Sequence, residues 1–281
     1  MAEVGSHDWL DEINLDPETP WLQMGTRALG DRPWLIVDAK RDEELRLKQQ
    51  LLGARHGEVF AAEPGTEAAG HEVLDLVVDE LAVTGITTRS TTNQTTELHP
   101  LDRAGRVVQE DLCLLRRDPH GWILVAASLC FPSRWRLATK MGRPLDDVHA
   151  PVAGYAEHLA SRVDRLLDRL DTRIVWRRNW FIHPDGPLFQ PDRPSYPEPT
   201  VEAARCLDEL VVRSERQTLR RVEDRYALFT IRIQHCPVAT LAVGDRRHGL
   251  ARFLVEAPPD ILAHRGLSPE QAVELRASLQ R

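Results

Sequence analysis

The sequence predicts an α+β fold built around a mainly antiparallel sheet. Three observations carry this. Two segments with helical spacing come early, at 42–60 and 71–85. Strand-like runs dominate from residue 107 onward. One strongly amphipathic helix, 155–170, sits between them. Helices first and strands afterwards, without regular alternation, is the pattern of an α+β domain.

Residues 1–34 read as an irregular arm carrying Trp9, Trp21 and Trp34. Large indole rings need cover, so the arm is expected to wrap on the body. LIVD at 35–38 is a short strand candidate. Leu45, Leu47, Leu51 and Leu52 then mark a helix that AAEPGTEAAG breaks. HEVLDLVVDELAVTG is a second helix ending near Gly85. The polar, Thr-rich ITTRSTTNQTTELHPLD is expected to be a surface loop.

VVQEDLCLLRRD, a turn at PHG and GWILVAASLCF follow. The last run is too continuous for an exposed strand and too short for a membrane span, so it reads as buried. Leu159, Val163, Leu166, Leu167 and Leu170 form the apolar stripe of the amphipathic helix. RIVWRRNWFIH at 173–183 is a strand with imperfect alternation, followed by a Pro-rich loop from Pro184 to Pro199. ELVVRSERQTLRR and YALFTIRIQ read as an antiparallel hairpin, with Thr230, Arg232 and Gln234 on one face. The remainder is helical, and Ser268 is a natural N-cap for PEQAVELRASLQ.

The 281 residues are 42% hydrophobic and 28% charged, which excludes a mainly disordered chain. With 36 basic and 43 acidic residues the net charge is −7. A globally basic nucleic-acid binder is therefore not expected, though a local basic patch stays open. No apolar run reaches the roughly 18–20 residues of a membrane span. The acidic first residues lack a secretory pattern, so a cytoplasmic location is expected. Cys113, Cys130, Cys206 and Cys236 form no CxxC pair and read as buried free thiols.

No glycine-rich phosphate loop, HExxH, GxSxG or EF-hand loop is present. Among eleven histidines, His7, His56, His71, His120, His248 and His264 lie in polar or terminal contexts and read as surface residues. His158 edges the amphipathic helix, His99 precedes a proline, and His183 and His235 end strands. His149 differs, because it lies in a proline-flanked turn just before that helix. It is either a hydrogen-bonded structural histidine or a rigidly held ligand. Asp146 and Asp147 beside it are weak grounds for a metal site. Charged residues also interrupt apolar runs: Glu110 and Asp111, then Arg177, Arg178 and Asn179 between Trp176 and Trp180, then Glu215, Arg216 and Gln217. Buried charges must be paired. Either an Arg–Glu network fixes the sheet, or a polarised pocket with aromatic walls binds a small cation.

These same segments resemble a known family. QEDLCLL, CFPSRWRLATKMGRPLDDVHAPVAGY, RRNWFIH, RSERQTLRR with LFTIRI, and LAHRGLS are similar, in order, to the haem-dependent oxidative N-demethylase α-subunit family. The resemblance runs from Trp21 to Gly266. It implies an arm at 1–34 and a single haem-binding PAS-like domain at 35–281, an antiparallel sheet with flanking helices and helical extensions at both ends. It implies a haem-dependent monooxygenase that oxidises dimethylamine with dioxygen and NADPH-derived electrons. Haem b would belong to this chain. FMN, a [2Fe–2S] cluster and NADPH would belong to a reductase subunit, and tetrahydrofolate to a further partner. No nucleic-acid or membrane partner is implied.

The resemblance makes His149 the expected iron ligand, in a His-x-Pro-Val-x-x-Tyr element that ends at Tyr155, with His183 as the alternative. It also makes Glu215 the candidate carboxylate for a cationic amine and Trp180 the wall. Arg216 or Arg178 would steady developing negative charge. Three departures leave the amine open: Ala153 replaces a proline, VEDRYA replaces a Leu-Pro turn, and Arg265 replaces a lysine. A haem-binding gas or redox sensor and a haem-free homologue are the competing readings. Amine-induced spectral change separates enzyme from sensor, and haem content separates both from the third.

Overall fold

Seven strands form one sheet in the computed structural model, which describes residues 8–19, 24–88, 97–150, 155–192, 200–223 and 225–281. They are β1 (Arg27–Ala28), β2 (Phe60–Ala62), β3 (Asp111–Asp118), β4 (Gly121–Ser128), β5 (Val175–His183), β6 (Val211–Arg221) and β7 (Tyr226–Pro237). Their order is β1-β5-β6-β7-β3-β4-β2, and every pairing is antiparallel. The α+β class is as predicted. Numbered among themselves by chain order, the five long strands read 2-1-5-4-3 from β4 to β5.

Twelve α-helices accompany the sheet among the described residues. Before β3 lie α1 (Arg41–Ala54), α2 (His56–Val59), α3 (Glu67–Val83) and α4 (Pro100–Gly105). Between β4 and β5 lie α5 (Leu145–Val148), α6 (Tyr155–His158) and α7 (Ala160–Asp168). The short α8 (Cys206–Glu209) precedes β6. After β7 come α9 (Val238–Leu241), α10 (Asp245–Glu256), α11 (Pro259–His264) and α12 (Pro269–Leu279).

Strand alternation gives the sheet two faces. The first carries Cys113, Leu115, Ala127, Ile231 and Ile233, packed with Leu145, Leu167 and Leu170 from the α5–α7 segment. The second carries Leu112, Leu114, Ala126 and Leu228, packed with Val73, Val77 and Leu81 of α3. At its far end Trp180, Ile182 and Val212 pack with Leu250 and Phe253 of α10 and Leu275 of α12. The Ser268 hydroxyl accepts from the Gln271 N–H, so α12 starts where its cap predicts. All four cysteines are buried free thiols.

The arm wraps on the body. Leu10 and Trp34 are buried, Trp9 packs against the C-terminal cluster, and β1 extends the β5 edge. Trp21, His7 and Ala153 lie outside the described residues.

Three expectations change. LIVD is not a strand. The N–H groups of Trp34, Ile36 and Asp38 donate instead to the side chains of Glu80, Glu110 and Gln109, at 3.1, 2.8 and 3.2 Å. Leu35 is buried and Ile36 and Val37 are half-buried, but side-chain acceptors took the donors a ladder needs. The Thr-rich stretch does not stay on the surface where it is described. Residues 89–96 lie outside the description, Thr88 is buried, and Pro100–Asp102 begin the buried helix α4. A β-carbon at Gly105 would lie 2.1 Å from Ser128 Oγ, so glycine there lets α4 lie against β4. The 155–170 helix divides at Leu159, where Tyr155, Leu159 and Ala160 form a small cluster with Met24 and Val163.

Lys48 of α1 lies 3.6 Å from Asp111, and both side chains are fully buried. Asp111 also accepts the N–H groups of Cys130 and Phe131, at 2.8 Å each. Lys48→Met strands that carboxylate and is expected to cost about 3–5 kcal/mol, read as a lowered urea midpoint.

Candidate functional site

The β5–β6 register divides the predicted site residues. Arg177 pairs with Gln217, Arg178 with Arg216, Asn179 with Glu215, and Trp180 with Ser214. Residues directly opposite share a face and neighbours alternate. Glu215 therefore shares the α5–α7 side with Arg177, Asn179 and Gln217. Trp180, Arg178 and Arg216 lie on the other side, and the structure does not bring them to Glu215.

Those three side chains bind other parts of the protein. Arg178 reaches Glu12 at 2.7 Å and also donates to Ser214 and Gln234. Arg216 donates to the carbonyls of Trp34 and Pro33, at 2.9 and 2.6 Å. The Trp180 indole N–H donates to the Asn14 carbonyl, and its ring meets Phe253 edge-on. Together they hold the arm and the C-terminal helices to the sheet. Reading RRNW and SERQ as compact motifs mixed two faces, because sequence neighbours in a strand point apart.

His149 caps α5. Its Nδ1 lies 2.8 Å from the Leu145 carbonyl. A carbonyl only accepts, so Nδ1 carries the proton and Nε2 keeps its lone pair. Burial pushes the imidazole pKa down to about 4, helped by Arg177 and Lys140, so the ring is neutral at neutral pH. Tyr155 stacks on it, with ring centroids 4.3 Å apart and planes 13° apart. The stack covers a ring face and leaves the in-plane lone pair clear. Tyr155 Oη is buried and has no hydrogen-bond partner among the described residues. Burial raises the phenol's pKa.

His183 is set differently. It is 3% exposed, and its Nδ1 meets Gln190 Oε1 at 3.1 Å. A β-carbon at Gly266 would lie 3.4 Å from its Cδ2 and 2.5 Å from the Ile182 carbonyl, so the ring is wedged in packing. His264, expected at the surface, is half-buried beside Phe181, with ring centroids 5.9 Å apart. Burial lowers its pKa to about 4. The apolar packing of the C-terminal turn was not visible in its polar local sequence.

Glu215 is 8% exposed and closely held. Ser133 Oγ donates to Oε1 at 2.6 Å, and Gln217 Nε2 donates to Oε2 at 2.7 Å. Gln217 Oε1 in turn accepts from Arg177 Nε at 2.6 Å. Ser133 accepts from Arg213 Nε at 3.0 Å. Next to Ser133, Arg134 has φ of +64°, a strained value for a residue with a side chain. Asn179 Oδ1 accepts from Arg265 at 2.7 Å. Sequence reasoning named Arg177 and Gln217 only as members of charged runs and Arg265 only as a departure from the family, and gave Ser133 no role. Counting alternate residues outward from Glu215 and Asn179 was the available signal for the first two.

A neutral imidazole whose Nε2 has no hydrogen-bond partner among the described residues, within reach of the Arg177 charge, is suited to binding iron. A family model described as haem-dependent oxidative N-demethylase, alpha subunit-like, matches residues 25–273. The chain belongs to that family. No curated protein matches the sequence. The N-demethylase family consists of haem-dependent oxidoreductases, and its alpha-subunit description marks a component of a multi-subunit enzyme. His149 and Tyr155 fit the haem that the family requires. Their described surroundings supply a held Nδ1, a free Nε2 and an unmatched hydroxyl. No helix among the described residues is long and apolar enough to cross a membrane.

Burial depresses the pKa values of His183, His235 and His264 to about 3, 4 and 4. The unfolded chain binds these protons near pH 6.5, so it holds more protons than the folded one just below that pH. Stability is therefore expected to be full above about pH 6.5 and to fall as pH drops towards 4. Thermal melts across that range check this, and His264→Phe should flatten part of the slope.

Proposed function

We propose that this chain is the haem-binding catalytic subunit of an oxidative N-demethylase that acts as a monooxygenase on a small secondary amine. The observation that carries the reading is His149, a neutral imidazole whose Nε2 has no hydrogen-bond partner among the described residues, on the sheet face that also presents Glu215 and Arg177. The 2-1-5-4-3 order of the long strands supports a PAS-like fold. Bound haem b would supply the redox-active iron at which dioxygen is activated.

The chain's own residues do the rest. The Leu145 carbonyl holds the His149 proton on Nδ1, which sets the tautomer. Tyr155 fixes the plane of the imidazole by stacking. A secondary amine is cationic at neutral pH, and Glu215 is the carboxylate that would hold it. Ser133 and Gln217 orient that carboxylate and leave each oxygen a further lone pair. Phe181, on the same face as Glu215, takes the place expected for Trp180 as the nearby aromatic ring. Arg177 takes the place expected for Arg178 or Arg216 as the positive charge on this side. The low exposure of Glu215 keeps water from competing with the amine. The alpha-subunit description supports a multi-subunit enzyme; on this proposal a separate NADPH-dependent reductase subunit carrying FMN and [2Fe–2S] would deliver electrons, with a tetrahydrofolate-binding partner. The proposal keeps the cytoplasmic location expected above.

A visible spectrum of the haem-loaded protein tests the ligand. The Soret band should be lost or strongly altered in His149→Ala, and an unchanged band moves the iron to another residue. Glu215→Gln should keep the band and weaken amine binding by about tenfold or more, the scale of a charge-assisted hydrogen bond. Unchanged amine affinity removes Glu215 from the role. A spectrum indifferent to amines in the wild type favours a sensor.

A further inference from the structure

Two arginines at the β5 edge form no ion pair with a carboxylate among the described residues, unlike similar residues elsewhere. Arg178 is paired with Glu12, and Arg232 with Asp38 and Glu44. Arg177 donates only to neutral acceptors, Gln217 Oε1 at 2.6 Å and the Met24 carbonyl at 3.5 Å. Arg265 does the same, with Asn179 Oδ1 at 2.7 Å and the Trp180 carbonyl at 2.9 Å. Its guanidinium lies over the Trp180 ring, 4.6 Å from the centroid, and its Nε is buried with no partner.

The two charges feel each other. Burial, with Arg177 nearby, pushes Arg265 down to about 10. Arg177 is also lowered by burial, and its field reaches His149, Tyr155 and His264. It is therefore near the proposed iron ligand, and it shares a β5 face with Asn179, the acceptor of Arg265. Glu215 favours the Arg177 cation without forming an ion pair with it, and Arg265 feels no such carboxylate among the described residues; two neighbouring buried cations are thus incompletely compensated, and a dianion between them relieves that cost. Arginine suits the task because its planar fork matches a carboxylate.

We infer that Arg177 and Arg265 form a clamp for the two propionate carboxylates of the haem held at His149. This rests on the haem reading above. Haem carries its two carboxylates on one edge, so a pair of guanidinium groups matches it in both number and sign. The Arg265 fork is already oriented by Asn179 and by the Trp180 carbonyl, which leaves its Nε free for a new acceptor.

The test compares haem b with its dimethyl ester, which keeps the iron and macrocycle but loses both negative charges. Visible titrations would be run on the full-length wild type, Arg265→Gln and Arg265→Lys, with circular dichroism to confirm folding. The wild type should bind haem b at least about tenfold more tightly than the diester, the scale of one charge-assisted hydrogen bond. Arg265→Gln should bring the two affinities within about threefold, while Arg265→Lys, which keeps the charge, should retain most of the preference. A wild type that binds both equally, or an Arg265→Gln variant that keeps the full preference, overturns the clamp and leaves the haem reading standing. Absence of a His149-dependent Soret band with either compound overturns the haem reading, and the clamp with it.

Discussion

Nine consecutive residue pairs lock β5 to β6, from Val175 with Leu219 to His183 with Val211. Everything else about the site follows from that register. Both strands carry a polar residue at nearly every position in their middle, so alternation sends one set of charges to each face. On one face the set is consumed by structure: Arg178 by Glu12, and Arg216 by the carbonyls of Trp34 and Pro33. On the other face Glu215, Gln217, Arg177 and Asn179 form a string of oriented side chains. A slip of one residue would exchange the two sets and destroy both.

The structural set explains why a sheet this polar is stable. Arg232, almost wholly buried, meets Asp38 at 2.7 Å and Glu44 at 2.8 Å, and Lys48 meets Asp111 inside the protein. Such pairs add little net stability over an apolar core, but breaking one leaves a stranded charge. They tie α1 and the segment after Trp34 to the sheet centre. They also hold the strands still, so that the ligand side is preorganised. The Ser133–Glu215–Gln217–Arg177 string inherits that rigidity, which the proposed amine-binding role would need.

Family membership and geometry meet at His149. The N-demethylase description calls for haem, and the chain offers an imidazole whose tautomer is set by a backbone carbonyl and whose neutrality is set by burial. His183 is equally neutral but wedged against Gly266, so its ring is a packing element. The difference between the two lies in what surrounds the ring.

The residues alone determined the order and type of most elements. The hairpin of β6 and β7, the buried β4, the end of α3 just before Gly85 and the Ser268 cap follow from periodicity and local backbone chemistry, which act over a few residues. His149 was legible because its motif is contiguous, and Glu215 because it interrupts an apolar run. The strand reading of LIVD failed because its backbone partners, Glu80, Gln109 and Glu110, lie far away in the chain. Trp180, Arg178 and Arg216 were grouped with Glu215 for a related reason: closeness in sequence is not a shared face in a strand. Ser133 and Arg265 approach the site from loops remote in sequence, through contacts at |i−j| of 82 and 86. Local propensity carries no information on such contacts. Only the register of the sheet, set by burying both apolar faces at once, decided which charges became structure and which were left for a ligand.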